Sequence, residues 1–448
     1  MESPAWRQGL ELGGVVATTV RHFFPDLPAW LDALRDPRDP NRITYPARCL
    51  TWAGLLVFLL KLGSRRQIRF ELDSPMALEN LNRLAGCRQD RVPHGDTLNY
   101  LVCRLAPGEF HSLRRCMVNR LIRMKVLDGD RLLGYFLVVI DGTGQLFFRQ
   151  RHCPHCLERT VGGQTQYYHH VLEAKLVTPD GLAISIGTAF IENDDPKATK
   201  QDCELKAFRR LAEQLHRDFP QLRLCLLLDA LYANGPVFDL CRQYRWKYIV
   251  TFKEGSLPAL WTEYEALRDL QPENRRTETP ADGVRQTFAW VSDLPYTDSE
   301  GRSFRLGTLQ CQEEDPDGNG FFAWLTNLPV CANTVAALGN RGGRLRWKIE
   351  NEGFNIQKNG GFALEHAYGT GPWAIMNFYL LMQIAHLITQ LVEHGNLLVG
   401  RCETLFGSLR ALARRLAESL RHAIIPTQAL DVAAAARIQI RLRAEDTS

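Results

Sequence analysis

Two aspartates in this chain each close a short apolar run. Asp141 ends the run in "GYFLVVIDG", and Asp229 ends the one in "LRLCLLLDA". A third acid, Glu350, lies in "RWKIENEGFNIQK" among Arg346, Lys348, Glu352 and Lys358. Short apolar runs bounded by turn signals read as buried strands. If these two strands are neighbours in one sheet, both carboxylates emerge at the edge where α/β sheets place their ligands. Side by side they repel, and a hard divalent cation relieves that repulsion. With Glu350 as a third ligand the set suits one or two Mg2+ ions, with Mn2+ as a substitute. Such ions keep waters and phosphate oxygens in their shells and support in-line displacement at phosphorus. The plainer alternatives are a turn role for each aspartate and an ion-paired surface helix around Glu350, with Glu352 as a competing third acid.

A second cluster has metal-ligand chemistry. "RHCPHCLER" offers Cys153, His155 and Cys156 at knuckle spacing, with His152, His169, His170 and Cys203 as further partners. Structural Zn2+ takes four ligands, usually from two pairs, and there is no second CxxC, so a reduced turn is the alternative. Cations gather in two places: Arg65, Arg66 and Arg69 in "GSRRQIRF", and Arg401, Arg410, Arg414, Arg415 and Arg421 in "RCETLFGSLRALARRLAESLRHA". Basic helices suit nucleic acid, and equally a solvated face.

These residues need elements to hold them. At 448 residues the chain is long enough for two or three units, each with ample core. Fifty-four basic against 50 acidic residues leave a net charge of +4, which by itself selects no partner. The 12 cysteines are scattered and no signal peptide is legible, so a reducing cytoplasm is the expected setting. The apolar run 50–62 is too short to span a membrane. The run 373–392 contains Asn377, Gln383, His386 and Gln390 and reads as a helix buried against a sheet.

Residues 1–130 read as helical, with Ser74 as an N-cap before Pro75, and Asp96 or Thr97 capping a later helix. From residue 134 the period changes. "GYFLVVIDG" and "GQLFFRQ" read as two strands, and two more flank the turn Pro179-Asp180-Gly181. A helix, a strand, a short helix and a strand follow. The segment 255–330 reads as a β-rich insertion of three strands, and helices return over 334–357, 372–394 and 402–440. The expected fold class is therefore α/β: a mixed sheet flanked by helices, with an N-terminal helical domain, a β-rich insertion and C-terminal helices.

Over roughly residues 45–395 the chain resembles a bacterial insertion-sequence transposase of the DDE class, cut-and-paste branch. The most specific parts are "VVIDGTG", "LLLDALYANG" and "RWKIENEGFNIQKNGGFALEHAYG". The resemblance implies an RNase H-like catalytic core over 131–254 and 331–395, interrupted by the 255–330 insertion. It also implies a DNA-binding or accessory domain over 1–130 and basic helices over 396–448. It places the catalytic, metal-binding acids at Asp141, Asp229 and Glu350. The family signature runs Tyr, two residues, Arg, three residues, Glu, six residues, Lys. Arg346 and Glu350 match it, Gly343 and Gln357 stand at the Tyr and Lys positions, and Lys358 follows one step later. The implied function is cleavage of transposon ends and their joining to target DNA, with Arg346 and Lys358 on the DNA; the local basic cluster of Arg65, Arg66 and Arg69 is read as a further DNA contact. The implied setting is a homodimer on paired ends of double-stranded DNA in the nucleoid, without membrane. A nuclease on the same fold and a catalytically inactive DNA-binding relative are the rival readings.

Overall fold

The computed structural model describes residues 11–193, 202–280, 283–315, 318–398 and 402–442, so Arg401 lies outside the described residues. Its centre is one mixed sheet of ten strands. These are β1 Phe136–Phe148, β2 Leu157–Val161, β3 Gln164–Val177, β4 Ala183–Ile191, β5 Leu224–Leu228, β6 Lys247–Thr251, β7 Arg275–Glu278, β8 Arg285–Thr297, β9 Ser303–Asp315 and β10 Gly318–Thr326. The spatial order is β2-β3-β1-β5-β6-β10-β9-β8-β7, with β4 on β3. β1 runs antiparallel to β3 and parallel to β5, and β5 runs parallel to β6. Every residue of β5 is buried, as expected for a parallel strand covered on both faces.

The stretch read as two strands, on either side of Asp141-Gly142-Thr143-Gly144, is one. β1 passes through both glycines and absorbs the irregularity as a register shift against β3 between Gly144 and Leu146. The 255–330 segment also differs from its reading. It opens with a helix, Pro258–Leu270, and carries four strands rather than three. These strands continue the central sheet, because β10 pairs with β6 through Trp324↔Thr251, Leu325↔Val250 and Thr326↔Ile249. The pairing covers an edge of β6 that would otherwise expose its N–H and C=O groups.

Helices over Leu12–Phe23, Ala47–Leu59, Pro75–Ala85, Gly95–Val102 and Pro107–Arg123 form the N-terminal part. Ser74 Oγ accepts from the Ala77 N–H at 3.1 Å, so this cap is as expected. The Gly95–Val102 helix is capped by His94, whose Nδ1 accepts from the Asp96 N–H at 3.1 Å, rather than by Asp96 or Thr97. The helix Leu409–His422 turns Leu412, Leu416 and Leu420 inward against the Leu12–Phe23 and Pro75–Ala85 helices. Asn80 donates to the Leu420 and Ala423 carbonyls at 2.9 and 2.7 Å and accepts from the Ile425 N–H at 2.8 Å. Two of the arginines on this basic helix face protein as well: Arg410 donates to the Asn359 carbonyl, and Arg421 binds Glu71. The N-terminal and C-terminal helices therefore share one core.

The helix Pro372–Glu393 is long and apolar enough to cross a membrane, but 94% of its apolar window is buried inside the protein. Its polar residues have inward tasks. Asn377 donates to the Val102 and Leu105 carbonyls, and Gln390 accepts from the Ala183 N–H on β4.

Candidate active site

The β1–β5 register places the two aspartates. Val139 pairs with Leu227, and Asp141 and Asp229 each lie two residues further along their parallel strands. Side chains alternate between faces with period two, so both aspartates continue the face that carries Leu137, Val139, Cys225 and Leu227. Leu345, Ile349 and Phe354 bury themselves on that same apolar face. The segment bearing Arg346 and Glu350 is thus docked where Asp141 and Asp229 emerge.

This segment is not one regular helix. A short helix ends at Asn340, 3-10 turns cover Gly343–Trp347, and a π-helical turn covers Ile349–Asn355. Gly343 marks its approach to the sheet: a Cβ there would lie 2.2 Å from Trp324 Nε1. No tyrosine fits at this position. Gln357 is fully buried and bonds Gln383 and His386 at 2.9 Å each. It is a core residue, and Lys358 beside it is the partly exposed cation.

Arg346 Nη1 lies 3.2 Å from Asp141 Oδ2, while Asp141 Oδ1 accepts from the Gly142 N–H at 2.9 Å. The Arg346 guanidinium also stacks over the exposed Trp347 ring. Asp229 Oδ1 accepts from the Leu231 N–H at 2.9 Å, opening the turn Ala230–Tyr232. Burial pushes the Asp141 carboxyl from 3.8 up to about 6. Repulsion from Asp229 and Glu204 adds to that, against the pull of Arg346 and the Gly142 N–H.

Glu204 is the acid the sequence reading missed. It opens the helix Glu204–Asp218 on the other face of the sheet. A Cβ on Gly142 would lie 2.4 Å from its Oε1, so any larger residue there would displace the Glu204 carboxylate. His170, read as a zinc partner, instead bonds Glu204 Oε1 at 3.1 Å and holds that carboxyl below its ordinary range. Tyr232, fully buried, donates to Glu204 Oε2 at 3.3 Å. Burial raises the Tyr232 phenol well above its usual range, and Glu204, Asp229 and Asp141 all raise it further. The three acids therefore share one neighbourhood. No pattern in the sequence marks Glu204, because an acid in the first turn of a helix is common for the helix dipole alone.

Glu350 is partly buried on the π-helical turn, four residues beyond Arg346. Among the described residues no hydrogen bond or ion pair engages its carboxylate or joins it to either aspartate. Glu352 is differently placed. It pairs with Lys348, and its Oε2 is buried without a hydrogen-bond partner near the Gly181 turn. That turn joins β3 to β4 at the end of the sheet away from Asp141.

Of the cations read as DNA contacts, Arg65 is held by the protein. It donates to the Tyr368 carbonyl and pairs with Asp96. Arg66 and Arg69 are exposed. Cys153 and Cys156 lie with His152 and His169 in a separate cluster, which excludes His170. Burial, helped by the neighbouring acids, favours a proton on Asp141, and a hard divalent cation is a chemically suitable partner for that carboxylate in its ionised form. A scan against models of known protein families finds no match to this chain, and neither does a search of curated proteins.

Proposed function

We propose that this protein is a DNA transposase of the DDE class, which cleaves transposon ends and joins them to target DNA. The reading rests on one observation: Asp141 and Asp229 stand side by side on adjacent parallel strands, and the segment of Arg346 and Glu350 docks on that same face. The order β4-β3-β1-β5-β6, with antiparallel strands on one side and parallel strands on the other, supports an RNase H-like reading of the core.

Asp141, Asp229 and Glu350 would hold Mg2+, with Mn2+ as a substitute, and Glu204 lies close enough to add charge. Bound there, the ions would activate the attacking oxygen and stabilise the leaving one in displacement at phosphorus. Arg346 balances Asp141 in the free protein. With a metal on that carboxylate, the guanidinium would be free to pair with a DNA phosphate. Lys358, Arg66 and Arg69 add phosphate contacts. The setting we propose is a homodimer on paired DNA ends in the bacterial cytoplasm.

The test incubates the full chain, Mg2+ and DNA ending in the inverted repeats that flank its coding segment. Nicking at the repeat ends followed by joining to a second DNA is the expected result. Cleavage without joining would make the protein a nuclease. Binding with neither would make it a DNA-binding relative without catalysis.

A further inference from the structure

Away from the carboxylates, the connection between β1 and β2 brings four ligand-bearing side chains together. One ligand atom each from His152, Cys153, Cys156 and His169 lies within 4.8 Å of all the others. The two Sγ atoms are 3.4 Å apart. His169 Nε2 is 3.4 Å from Cys153 Sγ and 3.5 Å from Cys156 Sγ, and His152 Nδ1 is 3.4 Å from Cys156 Sγ. Four ligands around tetrahedral zinc, with Zn–S near 2.3 Å and Zn–N near 2.0–2.1 Å, stand about 3.3–3.8 Å apart. The four measured spacings of 3.4–3.5 Å come close to these, and no pair of ligand atoms is more than 4.8 Å apart.

The histidines are oriented from outside. His152 Nε2 lies 2.8 Å from the Thr370 carbonyl, which can only accept, so Nε2 carries the proton and Nδ1 turns its lone pair toward the sulfurs. The Phe148 ring stacks on His152 at 4.2 Å and fixes its plane. On His169, Nδ1 faces the Glu192 carboxylate at 3.9 Å, which leaves Nε2 as the inward atom. An outer carbonyl or carboxylate on the second ring nitrogen is the usual setting of a metal-ligating histidine.

We propose that His152, Cys153, Cys156 and His169 form a closed structural Zn2+ site. Binding releases the two thiol protons to solvent, and two thiolates with two neutral imidazoles give a centre of zero net charge. With all four positions supplied by protein, the site is structural rather than catalytic. It fastens the 149–156 connection, which leaves the Asp141 strand, to β3 through His169 and to the 360–371 loop through His152 and Thr370. This assignment does not rest on the transposase reading.

The test uses the full chain without an affinity tag that binds metal. Metal analysis of the purified protein should give about one zinc per chain. Chelator-stripped protein titrated with Co2+ should develop a thiolate-to-cobalt charge-transfer band with the intense visible bands of a tetrahedral centre. Cys153→Ser and His169→Gln should each lose the zinc. Glu192→Gln, which keeps all four ligands, should weaken it about 10–100-fold. Because the wild-type cobalt spectrum needs no variant to fold, it decides the matter alone. Wild-type protein without zinc and without that band, a Cys153–Cys156 disulfide in its place, or zinc retained in both ligand variants would overturn the assignment.

Discussion

Arg346 Nη1 stands 3.2 Å from Asp141 Oδ2 and places a fixed positive charge against the carboxylate that burial pushes up to about 6. The unfolded carboxyl ionises near 3.8, so between these values the folded protein holds the extra proton. Stability from this group is present below pH 3.8 and is lost as pH rises through about 6. Allowing for the side chain's 26% exposure, the loss is about 2 kcal/mol. In chelator, Asp141→Asn should therefore flatten the fall in thermal midpoint between pH 4 and 8 relative to wild type. Parallel profiles for the two proteins would show that Asp141 titrates as an ordinary surface acid. Metal binding should weaken as pH drops below 6, since the ligand must be ionised.

Replacing Asp141, Asp229 or Glu350 with Ala should each reduce DNA cleavage by at least about 10²-fold while leaving DNA binding in place. Glu352→Ala should retain cleavage, because Glu352 is paired with Lys348 and faces the Gly181 turn. The opposite ranking of Glu350 and Glu352 in a nicking assay would reassign the third acid.

Directly across the β1–β3 ladder from Asp141 is Glu173, fully buried. Ser185, Thr188 and Tyr379 donate to it, and Arg114 lies 3.7 Å away while bonding Ser185 and Thr188 at 2.6 Å each. Removing one member strands a buried charge. Arg114→Ala or Glu173→Ala should cost about 3–5 kcal/mol, read as a shift in the urea unfolding midpoint. A loss under about 1 kcal/mol would mean the pair is not closed to water.

The arginines of "GSRRQIRF" should separate into two kinds. Arg66→Ala, Arg69→Ala and Lys358→Ala should each lower the slope of log affinity against log salt by about 0.9. Arg65→Ala should instead lower stability, because Arg65 ties the Gly95–Val102 helix to the Tyr368 loop. An unchanged slope in the first three would make that cluster a solvated face.

A fragment beginning near residue 130 should not fold. It loses the backbone carbonyls of Val102 and Leu105 that accept from the buried Asn377 amide, and the Asn80 side chain that holds Leu420, Ala423 and Ile425. Far-UV circular dichroism with a cooperative thermal transition in that fragment would contradict this.

Asp141 and Asp229 were legible because each ends an apolar run, a local pattern that survives folding unchanged. Glu204 was not, since it reaches the site only through the packing of its helix and the missing Cβ of Gly142. β1 read as two strands because glycines usually punctuate, and only the long pairing with β3 carries the chain through them. The union of 255–330 with the central sheet was hidden for a related reason. Its hinge, β6 against β10, joins residues more than 70 positions apart, and strand alternation says nothing about which edge a strand will find. In the helix Leu409–His422 the apolar stripe of Leu412, Leu416 and Leu420 was visible beside the arginines, but its partners near the other end of the chain were not.

That partnership sets the order in which the protein can be completed on the ribosome. The helix Leu12–Phe23 is made long before its partners: Gly13 is covered by Ser419 and Leu420, and Asn80 waits for Ala423, which is 343 residues later. At about 5–20 residues per second, those roughly 400 residues take about 20–80 s to synthesise. Throughout that interval an apolar face lies bare on the nascent chain, open to chaperones and to other unfinished copies. The helix Leu12–Phe23 is thus secured only when a partner 406 residues later arrives.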